Sequence, residues 1–198
     1  MKTLIVVESP GKVPAITRYA RQVLTGEVEV QASLGHLRDL PRGKLGVDIE
    51  GGFRPNYQVS PGRTKAVEQL RAAIRKADRV LLATDPDREG EAVAWHVVKV
   101  FEAELAGKTV ERISFNAITR QAIQTALAFP QKLDTRLVQS AVARRVLDRL
   151  VGYTISPRLW QAVSDKDHSA GRVQTVALRL LAEHSREKPA SWAVDVEV

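Results

Sequence analysis

No cysteine occurs in the 198 residues, which excludes disulfides and cysteine-bound zinc and fits a cytoplasmic setting. No apolar run approaches the about 20 residues of a membrane-spanning helix. Leu4-Ile5-Val6-Val7 is too short for the apolar part of a signal peptide and is stopped by Glu8, so a membrane role is not expected. Internal repeats and low-complexity stretches are also absent. What is present is 44% hydrophobic and 27% charged, enough for one ordinary core, or one domain and part of another. Thirty Lys and Arg oppose 23 Asp and Glu, a formal charge of +7. That balance suits a polyanionic partner without identifying one.

Two periodicities alternate along the first two thirds of the chain. Residues 3–8 read as a strand, and Val28-Glu29-Val30-Gln31-Ala32 alternates as a second. Val80-Leu81-Leu82 has the crowded apolar character of a strand buried on both faces, and residues 110–115 form another. Helices are expected between them. Ser9-Pro10 has the form of a cap with proline at the first helical position, while Pro14 pushes the α-helical start later. Val67, Leu70, Ala73, Ile74 and Ala77 mark one amphipathic helix, and Ala94, Val97, Val98, Phe101 and Leu105 mark another. Asn116 is placed to cap a third, with Ile118, Ala122, Ile123 and Ala126 inward. Between residues 35 and 62, six glycines with Pro41, Pro55 and Pro61 leave no helical period, and a long excursion with one hairpin is expected. The class is α/β, a mainly parallel sheet with helices on both faces.

The pattern changes near Phe129-Pro130. One helix is expected from about Asp134 to Val151, burying Leu137, Val138, Ala141, Val142 and Leu150. Another buries Val173, Val176, Ala177, Leu180 and Leu181 and stops before Pro189. The only later strand-like run is Trp192–Val198. Residues 1–129 are therefore read as the α/β domain, and 130–198 as a helical segment ending at the start of a strand.

The chemistry gathers in Ala83-Thr84-Asp85-Pro86-Asp87-Arg88-Glu89-Gly90-Glu91, where the central strand hands over to a helix. In an open parallel sheet that carboxyl edge is where ligands bind. Asp85, Asp87 and Glu89 alternate, so their carboxylates can fan toward one point and suit Mg²⁺. Acidic residues equally suit the first turn of a helix, and the string alone does not separate the two readings. Glu8 ends the first strand; if that strand neighbours the central one, Glu8 joins the cluster. Crowded carboxylates raise the pKa of at least one member, which would place a general acid beside a metal site. Lys12, one turn further, is placed to hold a phosphate.

Other features are less specific. His36 opens the excursion, where ordinary hydrogen bonding is the commoner role of a single histidine. Arg144 and Asp148 stand four apart and can pair, and Arg145 and Arg149 repeat the spacing; a solvated basic face accounts for both equally well. Ser169-Ala170-Gly171-Arg172-Val173-Gln174 has the form of a helix start. Its glycine would admit a phosphate backbone, with Arg172 and Gln174 as donors, although glycine before a helix is common.

Taken together, these segments resemble the N-terminal part of the bacterial type IA DNA topoisomerases. Val6-Val7-Glu8-Ser9-Pro10-Gly11-Lys12 is similar to the family's V-E-S-P-x-K opening, Leu34 to Pro41 to its G-H-[LI]-R-D-L-P segment, and Ala83 to Glu91 to its A-T-D-x-D-R-E-G-E signature, the acidic triad of the TOPRIM fold. Phe115-Asn116, Ala143 to Asp148, Val151-Gly152-Tyr153 and Ser169 to Gln174 follow in the family's order. The resemblance implies a TOPRIM domain over residues 1–129 and the start of the DNA-gripping helical domain after it. It implies Glu8 as acid or base at the scissile 3′ oxygen, and Asp85, Asp87, Glu89 and Glu8 around Mg²⁺. Lys12 and Arg144, the latter oriented by Asp148, would steady phosphates. Arg145, Ser169, Gly171, Arg172, Gln174, His36 and Arg88 would contact DNA, mainly single-stranded.

The family's tyrosine nucleophile is expected elsewhere. Tyr19, Tyr57 and Tyr153 are the only tyrosines, and none sits in the R-T-D-type context the family uses. The expectation is thus a topoisomerase part that binds metal and DNA and does not pass strands alone, its tyrosine supplied by a tyrosine-bearing C-terminal topoisomerase polypeptide or by a longer parent chain. Two alternatives stand beside it: a stand-alone truncated paralogue binding single-stranded DNA as an accessory module, and a Mg²⁺-dependent TOPRIM nuclease.

Overall fold

The computed structural model describes residues 1–164 and 168–187. Four parallel strands form the central sheet: β1 (Lys2–Val7), β2 (Glu27–Ala32), β7 (Arg79–Ala83) and β8 (Thr109–Arg112), in the order β2-β1-β7-β8. Alternate side chains on each strand leave by opposite faces. Leu4, Val6, Val80 and Leu82 therefore pack with α2 (Thr64–Lys76), α3 (Arg88–Val100) and α4 (Glu102–Leu105). Ile5, Val7, Leu81 and Ala83 pack with α1 (Val13–Val23) and α5 (Arg120–Ala128). A parallel sheet needs both faces covered, and this one has them.

Several details depart from the sequence reading. Ser9 makes no side-chain cap; a 3₁₀ turn over Pro10–Lys12 precedes α1, so Pro14 falls in the first turn, where no donor is lost. The cap of α5 is Thr119, whose side chain accepts from Ala122 N at 3.2 Å, rather than Asn116. The helix expected to run through Leu105 breaks at Phe101 into α3 and α4. The excursion holds two short antiparallel ladders instead of one: β3 (Arg38–Asp39) with β6 (Gln58–Val59), and nested between them β4 (Val47–Asp48) with β5 (Arg54–Pro55).

The chain divides into two compact units, Met1–Arg144 and a second beginning at Arg145. The division falls within α6 (Thr135–Val163), which continues past Gly152 and Pro157 where an end at Val151 was expected. A single proline removes one hydrogen bond and can bend a long helix without ending it. Leu137 on α6 is exposed, contrary to expectation, while Val138 and Ala141 are buried. The last described helix, α7 (Arg172–Glu187), leaves Val173, Val176, Ala177, Leu180 and Leu181 exposed, although its periodicity marked them as core. Pro189 and the expected strand over Trp192–Val198 lie outside the described residues. Among the described residues no helix is long and apolar enough to cross a membrane.

Candidate functional site

The site begins with strand pairing. β1 lies directly beside β7 with Val7 opposite Ala83, so Glu8 and the Thr84-Asp85 turn leave the sheet at the same edge. Burial holds the Glu8 carboxyl above the usual carboxylate range, and Asp85 and then Asp87 add to this, against the opposing pull of Lys12 and His36. The two acidic segments, far apart in sequence, therefore share one electrostatic environment.

The acidic turn is fixed by local bonds. Thr84 Oγ1 donates to Gly90 O at 2.6 Å, and Asp87 Oδ1 accepts from Gly90 N at 2.7 Å, capping α3. Gly90 is needed because a Cβ there would sit 2.2 Å from Asp85 O and 2.7 Å from Asp85 N. Lys12 Nζ forms an ion pair with Asp85 Oδ1. His36 Nε2 meets Glu89 Oε1 at 2.5 Å. Arg88 opens α3 and is exposed.

Hard oxygen donors of this kind suit Mg²⁺. The donor set fits a divalent cation in kind. Among the described residues, however, no three carboxylate or imidazole groups stand gathered as a ready ligand set. Asp85 is engaged by Lys12, Glu89 by His36, and Asp87 by its cap.

Two supporting groups escaped the sequence reading. The first is Arg112, at the end of β8. Its Nε donates to Glu91 Oε2 at 2.9 Å, Nη1 to Leu82 O at 3.0 Å and Ile113 O at 2.5 Å, and Nη2 to Asp85 O at 2.7 Å. Side-chain exposure is 1% for Arg112 and 7% for Glu91, so each charge depends on the other. Glu91 Oε1 also accepts from Asp134 N at 2.7 Å. One guanidinium thus holds the backbone of the acidic turn. An arginine next to the apolar Ile113 at a strand end, with a glutamate closing the acidic string, was the available signal.

The second group supports His36. Leu34 and Gly35 adopt φ of 61° and 81°, a conformation costly for leucine, and Gly35 N donates to Glu8 O at 3.1 Å. The turn aims His36 across the edge. Its ring meets His96 edge-on at 5.2 Å between centroids. Arg38 Nε donates to His96 Nδ1 at 3.1 Å, and its guanidinium lies 5.0 Å from the Trp95 ring centroid and 5.5 Å from that of Tyr57. Burial foremost, then Arg38 and His36, push the His96 pKa down to about 3, leaving a neutral ring that accepts at Nδ1.

The remaining candidates lie on α6 and at the start of α7. Asp148, expected to orient Arg144, accepts from Arg172 Nε at 2.9 Å. Arg144 and Arg145 are exposed on α6. Ser156 Oγ accepts from Ala170 N at 3.0 Å, fixing the approach to α7, where Gly171 O accepts from Thr175 N at 2.9 Å. Ser169 and Gln174 are exposed beside this helix start.

Residues 3–118 match the family model described as the Toprim domain, and residues 132–194 match the one described as DNA topoisomerase. The fold is similar to that of full-length topoisomerase I from Thermotoga maritima, with 44% identity and a TM-score of 0.78. That match covers 93% of this chain and 30% of the Thermotoga chain.

Proposed function

Since the chain belongs to the Toprim family, with the segment of the type IA DNA topoisomerases following its Toprim domain, we propose that it cleaves and rejoins single-stranded DNA as part of such an enzyme in the cytoplasm. The observation that carries this reading is that β1 and β7 bring Glu8 and Asp85 to one edge of the sheet, where Lys12 pairs with Asp85. Asp85, Asp87, Glu89 and Glu8 would hold Mg²⁺, which when bound supplies charge neutralisation at a phosphate. Lys12 holds the phosphate, and so does Arg144, with Asp148 beside it on α6. Glu8, whose carboxyl is held above the usual carboxylate range by burial and then Asp85, would give a proton to the 3′ oxygen as the P–O3′ bond breaks, and remove it again on rejoining. Arg145, Ser169, Gly171, Arg172 and Gln174 grip the strand, with His36 and Arg88 at the acidic edge.

The bond that forms in cleavage joins phosphorus to a tyrosine oxygen, whose proton passes to solvent. We assign that tyrosine to another part of the enzyme. Tyr19 OH accepts from Arg18 Nη2 at 2.7 Å, Tyr153 OH accepts from Arg149 Nη1 at 3.1 Å, and the Tyr57 ring stacks edge-on against His96. The hydroxyls of Tyr19 and Tyr153 thus meet arginines, which do not serve as activating bases.

The test mixes this chain with a tyrosine-bearing C-terminal topoisomerase polypeptide, Mg²⁺ and negatively supercoiled DNA. Relaxation is expected, and its loss in Glu8→Gln. Persistent absence of relaxation with intact strand binding would favour an accessory module. Linear products without a protein–DNA adduct would favour a nuclease.

A further inference from the structure

Beside the acidic edge lies an open polar groove of about 530 Å³, lined by His36, Asp39, Leu40, Arg42, Gln58, Ser60, Pro61, Gly62 and Arg63. It sits between the β3–β6 ladder and the turn before α2, and His36 belongs to both places: it lines the groove and meets Glu89. Elsewhere in the first unit, cations near the sheet find anions inside the chain. Lys12 pairs with Asp85, Arg71 with Glu104, Arg79 with Glu111 and Arg112 with Glu91. Arg42 and Arg63 are different. Neither guanidinium has a hydrogen-bond or ion-pair partner among the described residues. The one acid in the groove, Asp39, accepts from Leu40 N at 2.7 Å through Oδ1.

Two guanidiniums on one concave polar surface, with no anion among the described residues to engage them, are free to take an anion from outside. A groove that opens at the acidic edge, walled by guanidinium, hydroxyl and amide groups and more polar than apolar, suits a phosphodiester strand better than a drug-like ligand. We propose that the Arg42–Arg63 groove is a track for the single-stranded DNA, holding about two phosphates beyond those at the acidic edge, with His36 at the junction. Guanidinium forks supply the bidentate contacts, and Gln58 and Ser60 supply neutral donors. Such contacts position the strand and carry no base preference. This inference rests on the functional reading above.

The test titrates the 198-residue chain with a fluorescent oligo-dT strand over a range of salt concentrations, alongside Arg42→Ala/Arg63→Ala and Arg42→Lys/Arg63→Lys. Each phosphate contact to a single strand contributes about 0.7 to the slope of log affinity against log salt, so the alanine pair should lower that slope by about 1.4. The lysine pair should keep most of it, and urea midpoints should match the parent. A parent that binds while the alanine pair shows unchanged slope and affinity would overturn the groove and leave the functional reading standing. A parent with no affinity for single strands would overturn both. Displacement of the strand by inorganic phosphate at matched phosphate concentration would mark a free-anion pocket and also overturn the track.

Discussion

The sheet of the first unit and α7 of the second carry the same kind of sequence pattern with opposite results. On α3, Ala94 and Val97 recur at helical spacing and are buried against Leu4, Val6 and Leu82. On α7, Val173, Val176, Leu180 and Leu181 recur at the same spacing and are 55% to 62% exposed. Periodicity says which face of a helix is apolar; it says nothing about where the covering surface comes from. Only buried area removes surface from water and stabilises the chain. The first unit therefore holds its stability in contacts that single substitutions can break, while the α7 face contributes little within these residues.

The sharpest break is Arg112→Ala. It leaves the Glu91 carboxylate buried without its cation and frees Asp85 O, and loss of one partner of a buried pair costs about 3–5 kcal/mol. Urea unfolding monitored by tryptophan fluorescence checks it; a shift under about 1 kcal/mol would show the pair to be hydrated. Next comes acid. His96 has a pKa of about 3 in the fold against about 6.5 in an unfolded chain. Below pH 6.5 the unfolded state binds the extra proton, so the contribution of this residue is complete above that pH and falls as pH drops toward 3. Between pH 6.5 and 4.5 the loss should be about 2–3 kcal/mol, read as the difference between parent and His96→Gln urea midpoints. An identical pH profile in the two would remove the claim. The smallest effect belongs to the other side of the comparison. Leu180→Ala should change stability by less than about 0.5 kcal/mol; a core-sized loss would mean that the α7 face is covered after all.

The Glu8–Asp85 convergence was legible as a condition, that the first and central strands be neighbours, because each strand ends in the residue that matters; the strand order itself was not. Val6-Val7 runs into Glu8 and Leu82-Ala83 runs into Thr84-Asp85, and parallel neighbours deliver both ends to one edge. The grip on that edge was not legible. Arg112 reads as a surface residue at the end of a short strand until Glu91 and Asp85 O are seen around it. Asn116 looked like a cap because of its type, yet Thr119 stands where the helix begins. Spacing pointed to Arg144 as a neighbour of Asp148, but nothing local announced that Arg172, 24 positions away, also donates to Asp148 at 2.9 Å. Local signals identify elements and their ends; partners remote in sequence depend on the packed whole.

Lys12 and Asp85 touch although they stand 73 positions apart in the chain. Closing so long a loop has an entropic cost that only a finished sheet offsets. Until β7 has docked against β1, these charges are strangers, and no early folding species can gather them. Any affinity seated at that edge therefore doubles as a gauge of complete assembly, silent in a partly folded chain and switched on as the last central strand finds its place.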